Sequence, residues 1–272
     1  MTKAEIYAAI KEKKSFLCVG LDTDLNKIPQ HLRDAEDPIF AFNKAIIDAT
    51  APYTVSYKIN TAFYEAMGLK GWEALEKTLN YIPKAIFTIA DAKRGDIGNT
   101  ADQYAKTFFQ TYPFDSVTVA PYMGKDSVQP FLQYPGKFAI VLALTSNPGS
   151  EDFQQQSCGT QKLYETVLQQ VASWGTAENT MFVVGATRIE FLDRVRALVP
   201  EHFLLVPGVG AQGGDLKAVA AAALNNECGL LVNVSRAVIY ADNSEHFAAA
   251  AANAAKQYQE EMAVLLAEHQ IL

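Results

Sequence analysis

Residues 86–91, IFTIAD, run directly into residues 91–100, DAKRGDIGNT. A short apolar run ends in a cluster of opposite charges. Asp91 and Lys93 are two apart, so on a strand their side chains point the same way. A carboxylate and an ammonium then stand side by side where the strand ends. Asp96 and Thr100 are four apart, and they share one face if 97–106 is helical. The stretch reads as strand, charged loop and helix, which is the repeating unit of an α/β fold.

The same unit recurs outward in both directions. Apolar, β-rich runs occur at 16–21, 53–59, 86–91, 115–120, 138–144, 181–186, 203–207 and 229–234. Most are continuous rather than alternating, as expected of strands covered on both faces. Between them lie segments with helical spacing, among them 38–50, 68–82, 160–174 and 188–199. Segment 215–226 is Ala-rich and reads as a tightly packed helix. Eight such units in one chain of this length predict an α/β protein, a single-domain (β/α)8 TIM barrel over 1–272. A doubly wound open sheet fits eight units less well, and no composition shift or linker divides the chain. Residues 145–159, TSNPGSEDFQQQSCG, form a polar insertion after the fifth run. It reads as a lid or a surface excursion.

Composition narrows the partners. The chain of 272 residues has 23 basic and 30 acidic side chains and a net charge of −7. Without a basic run, nucleic acid is not expected as a partner. The longest apolar runs reach about a third of the roughly 20 residues a membrane span needs, so no membrane association is expected. The N-terminal sixteen residues have no apolar signal core. Three cysteines without a CxxC spacing suggest a reducing cytoplasm.

In a barrel the chemistry sits at the C-terminal ends of the strands. Those ends carry Asp22; Lys58; Asp91, Lys93, Arg94, Asp96 and Thr100; Thr145 and Ser146; Gly208, Gly210, Gln212, Gly213 and Gly214; and Asn233, Ser235 and Arg236. Asp91 and Lys93 alone fit a rim salt bridge as well as a site. With Lys58 added, the mouth holds more charge than a rim needs. The neighbouring carboxylate favours the charged form of Lys93. That suits a proton donor better than a Schiff-base amine, which needs a lowered pKa.

Residues 208–213, GVGAQG, match GxGxxG after a strand, but the next strand ends in Asn233 and Ser235 rather than an acid. A backbone that wraps a phosphate is the better reading, with Arg236 adding a charged contact. His31, His202, His246 and His269 are scattered and none sits at a strand C-terminus, so neither a Ser-His-Asp triad nor a His-based metal site is expected. Cys18 and Cys228 read as core, and Cys158 has no partner base.

Taken together, VGLD at 19–22, YKIN at 57–60, DAKRGDIGNT at 91–100, PGVGAQGGD at 207–215 and VNVSRAVIYA at 232–241 resemble the orotidine 5′-phosphate decarboxylase family, in its longer bacterial subgroup. The resemblance runs over essentially the whole chain. It implies conversion of orotidine 5′-monophosphate to UMP, the last step of pyrimidine nucleotide synthesis, with no metal and no organic cofactor. It also implies a homodimer in which Asp96 and Thr100 complete the partner's site. Lys93 would deliver a proton to C6, with Asp91 near the leaving carboxylate. Lys58 and Asp22 would hold the ribose. Thr145 or Ser146 would meet the pyrimidine, and Gln212, Gly213 and Arg236 would take the phosphate side. Two alternatives remain: a magnesium-dependent phosphosugar decarboxylase or aldolase of related build, and a non-catalytic nucleotide-binding barrel. The first needs an additional acidic ligand, and the second strand ends in Lys58 instead.

Overall fold

A computed structural model describes residues 1–210 and 213–272. Eight parallel strands close into a barrel. They are β1 (Leu17–Gly20), β2 (Ser56–Asn60), β3 (Phe87–Arg94), β4 (Ser116–Val119), β5 (Phe138–Leu144), β6 (Thr180–Val184), β7 (Leu204–Pro207) and β8 (Leu230–Val234). Each pairs with the next in sequence, and β8 pairs with β1 to close the ring. All eight apolar runs became strands. β1, β6 and β8 are buried at every position, which explains why they do not alternate in sequence. The sequence run at 53–59 begins too early: Thr54 caps the edge, its hydroxyl donating to the carbonyls of Leu17 and Ser56.

Helices surround the barrel. Helix Pro38–Thr50 starts on Asp37, whose carboxylate accepts the Phe40 N–H, with proline at a first-turn position where no N–H is needed. It buries Ile39, Phe42, Ile46 and Ile47. The Ala-rich helix spans Leu216–Ala223 and is capped by Asp215. Its small side chains let it lie close, with Val219, Ala220 and Ala223 fully buried. Helices beyond those singled out in the sequence include Lys3–Lys13, with a capping box between Thr2 and Glu5, and the long Phe247–Glu268, packed on Pro38–Thr50.

The helix after β3 spans Gly98–Lys106. Asp96 therefore lies just outside it, and the expected shared helical face with Thr100 does not form. The Asp96 carboxylate instead accepts the Ile97 N–H at 2.8 Å.

The polar insertion is folded. It contains a helical turn, Ser150–Phe153, and a small antiparallel hairpin, Ser157–Cys158 with Gln161–Lys162. Ser150 is buried, and its hydroxyl accepts from Arg188 at 2.8 Å.

Two glycines make the mouth possible. A Cβ at Gly20 would lie 2.8 Å from the Ser235 side chain, and one at Gly185 would lie 2.7 Å from the Ser146 backbone nitrogen. At each, two segments approach closer than any larger residue permits.

Candidate active site

β1, β2 and β3 bring four charged side chains into one chain at the mouth. The Lys58 ammonium lies 3.3 Å from Asp22 Oδ1 and 3.0 Å from Asp91 Oδ2. The Lys93 ammonium donates to Asp91 Oδ1 at 2.6 Å. Charges alternate in the order Asp22, Lys58, Asp91, Lys93. Burial works to raise the Asp91 pKa, but the ammoniums of Lys58 and Lys93 outweigh it and hold the carboxyl well below the usual range. Burial works to lower Lys58, and Asp91 and Asp22 reverse that, so it stays protonated above its ordinary value. The two lysines differ in access. The Lys58 side chain is 5% exposed and that of Lys93 is 51% exposed. Both meet the cavity, and Lys93 presents far more of its length to a bound molecule.

Lys93 reaches Asp91 by an unexpected route. In the register with β4, Ala90 faces Val117 and Arg94 faces Val119, so β3 carries extra residues between them. Lys93 itself has φ +47°, in the left-handed region. A non-glycine residue there costs about 1–2 kcal/mol. Its N–H donates to Thr118 Oγ1 at 2.9 Å, and the Thr118 hydroxyl donates to Asp91 Oδ1 at 3.0 Å. Asp91 and Lys93 meet as a spacing of two predicts, but across a bulge rather than along a regular strand.

These groups line a cavity of about 350 Å³. Its opposite wall is apolar. Leu142 on β5, Val183 on β6 and Leu205 on β7 lie in one register row and all face the cavity. The mouth therefore has a charged half from β1–β3 and an apolar half from β5–β7. Thr145, Ser146 and Asn147 line the rim above β5, and Gly208, Val209, Asn233, Ser235 and Arg236 line it above β7 and β8.

Of the residues singled out in the sequence, Asp22, Lys58, Asp91, Lys93, Thr145, Ser146 and Arg236 all meet this cavity. Asp96 and Thr100 do not line it, and Thr100 is exposed. Gly213 has φ +84° and is exposed outside the lining, while Gln212 lies outside the described residues. The loop around them closes on itself through Gly214 N–H to the Gly208 carbonyl and Gly213 N–H to the Gly210 carbonyl. Arg94 turns away from the mouth: it pairs with Glu65, and its guanidinium lies over the rings of Tyr104 and Phe108.

Sequence reading passed over Asn60, Thr118, Asn147 and Gln154. Thr118 left a signal, because Ser116 and Thr118 alternate as polar residues in an otherwise apolar strand. Gln154 fixes Thr145: its Oε1 accepts the Thr145 N–H at 2.7 Å, and its Nε2 donates to the Thr145 hydroxyl at 2.9 Å. Among the described residues no group of three or more His, Cys, Asp or Glu is disposed to hold a metal ion, and no helix is long and apolar enough to cross a membrane.

Fold and mouth together define the class: a (β/α)8-barrel enzyme with an alternating carboxylate–ammonium chain at its strand ends. Residues 15–252 match the family model described as Orotidine 5'-phosphate decarboxylase / HUMPS family. The chain is 59% identical over 267 residues to orotidine 5′-phosphate decarboxylase of Bacteroides fragilis, covering 97% of each. It is 57% identical to that of Phocaeicola vulgatus over 272 residues, covering 98% of this chain and all of the relative. The solved structure of Leishmania donovani OMP decarboxylase superposes with a TM-score of 0.84 at 38% identity, covering 97% of this chain and 98% of that one. The chain belongs to the orotidine 5′-phosphate decarboxylase family, and it is a carboxy-lyase.

Proposed function

We propose that this protein converts orotidine 5′-monophosphate to UMP in pyrimidine nucleotide synthesis, using one barrel domain spanning the chain. The observation that carries this reading is the Asp22–Lys58–Asp91–Lys93 chain lining one cavity in a protein so similar to named decarboxylases. The C–C bond to the substrate carboxylate breaks, CO2 leaves, and the electron pair stays on C6. The Lys93 ammonium stabilises that developing charge and then gives its proton to C6, leaving a neutral amine for water to recharge. Asp91 holds the ammonium in place and faces the departing carboxylate. Lys58, locked between two carboxylates, keeps Asp91 ionised and with Asp22 takes the ribose hydroxyls. Thr145 or Ser146 meets the pyrimidine, whose flat ring suits the apolar wall of Leu142, Val183 and Leu205. Arg236, with Gln212 and Gly213, takes the phosphate.

Asp96 and Thr100, lying off their own cavity, complete the site of a second copy in a homodimer. The three unpaired thiols accord with a cytoplasmic location.

The test is direct. Purified protein is mixed with orotidine 5′-monophosphate and EDTA, and the pyrimidine absorbance is followed. Turnover is expected with EDTA present, and Lys93→Ala should nearly abolish it while the circular dichroism spectrum stays native. Loss of wild-type activity on chelation would instead favour a magnesium-dependent phosphosugar enzyme, and nucleotide binding without turnover a silent barrel.

A further inference from the structure

Between β3 and β4 one hydroxyl serves two masters. Thr118 is buried on β4, 1% exposed, and lies outside the residues lining the cavity. Its oxygen accepts the backbone N–H of Lys93 at 2.9 Å and donates its own proton to Asp91 Oδ1 at 3.0 Å. The directions are forced. An ionised carboxylate only accepts and a backbone N–H only donates, so the hydroxyl must do both. Asp91 Oδ1 thus receives Thr118 and the Lys93 ammonium together, while Oδ2 receives Lys58.

The same bond secures the backbone. Lys93 sits at φ +47° in a stretch where β3 leaves register with β4. Such a conformation persists only where its surroundings hold it. Here the hold on the Lys93 N–H is the Thr118 hydroxyl. Serine shares that hydroxyl, whereas valine matches threonine in shape and lacks it.

We infer that Thr118 is a positioning residue for the reaction: through one hydroxyl it fixes both the left-handed backbone of Lys93 and the carboxylate that aims its ammonium. This rests on the proposed roles of Asp91 and Lys93. Thr118 touches no substrate, so its loss should reach catalysis through the placement of Lys93 and leave ground-state binding nearly as it was. A misplacement of about 1 Å at a reacting group costs up to roughly 100-fold in rate.

The experiment compares Thr118→Val, Thr118→Ala and Thr118→Ser with wild type and Lys93→Ala, by steady-state decarboxylation and thermal unfolding. The two hydroxyl-free variants should lose about 10- to 100-fold in kcat, with KM moved less than about threefold, and Thr118→Ser should recover most of the rate. Alanine keeps the test open if valine fails to fold. Wild-type kcat in a folded hydroxyl-free variant, beside an inactive Lys93→Ala, overturns the positioning role alone. So does a serine variant as slow as valine. A fully active Lys93→Ala overturns the underlying assignment and this inference with it.

Discussion

Lys93 and Lys58 are the same amino acid at the same mouth, and exposure separates their tasks. The buried one is clamped between Asp22 and Asp91 and meets the cavity only at its tip, while the half-exposed one stands out into it. Arg236 lines the far rim, where the proposed reaction would have it hold the phosphate. A guanidinium is always charged and matches a phosphate in two-point contact. Arg236→Ala should therefore raise KM for orotidine 5′-monophosphate strongly while leaving any turnover of unphosphorylated orotidine almost unchanged. Kinetics on the two substrates check this, and an unaltered preference for the phosphorylated one would remove Arg236 from the phosphate site.

Among elements, the insertion after β5 has become a brace. Gln154 grips Thr145 at backbone and side chain, and Arg188, before the helix after β6, grips the insertion through Ser150. If Thr145 steadies the pyrimidine, Gln154→Ala should loosen it. One hydrogen bond is worth about 1 kcal/mol, which corresponds to a roughly fivefold higher KM. Steady-state kinetics measure it, and an unchanged KM would reduce the brace to a surface ornament. The contrast between β3 and this insertion explains what was legible. The eight strands could be read because each is a local run of β-forming, doubly buried residues. Asp91 and Lys93 could be paired because they are two apart. Nothing local predicts that Lys93 turns left-handed, because the group that holds it, Thr118, sits on the next strand. Nor does spacing tie Gln154 to Thr145, since the link depends on how a polar loop folds back. Asp96 shows the same limit: a helix start displaced by one residue removed the expected shared face.

For the molecule as a whole, a half-buried base outside the mouth is expected to weaken the fold in mild acid. His202 packs against Phe182, and neither ring nitrogen has a hydrogen-bond partner. Burial first, then the charges of Arg196 and Lys3, press its pKa down to about 4. The unfolded chain, with histidine near about 6.5, binds the proton more readily, so stability falls as pH drops from 6.5 towards 4. Asp91 acts in the opposite range: its depressed pKa adds stability above about pH 4, and that is lost only in stronger acid. Between pH 6.5 and 4, then, His202 should cost on the order of 2 kcal/mol. His202→Phe should flatten that slope in urea unfolding at pH 7 and pH 4.5. An equal loss in wild type and variant would show that the titration lies elsewhere.

The division of the mouth into a charged half and an apolar half also falls largely along the polypeptide, with Leu142 on β5 at the divide. Asp22, Lys58, Asp91 and Lys93 are all contributed before β4 begins, whereas Val183, Leu205 and Arg236 all come after β5 ends. Between them lies the exposed hairpin turn at Gly159. A chain divided at that turn would yield one fragment of five strands holding the charged chain with Leu142 and Thr145, and another of three strands holding Val183, Leu205 and Arg236, each expected to be inert alone. Activity regained on mixing would then report closure of the barrel from its two pieces, which would make the chain a split reporter of its own assembly.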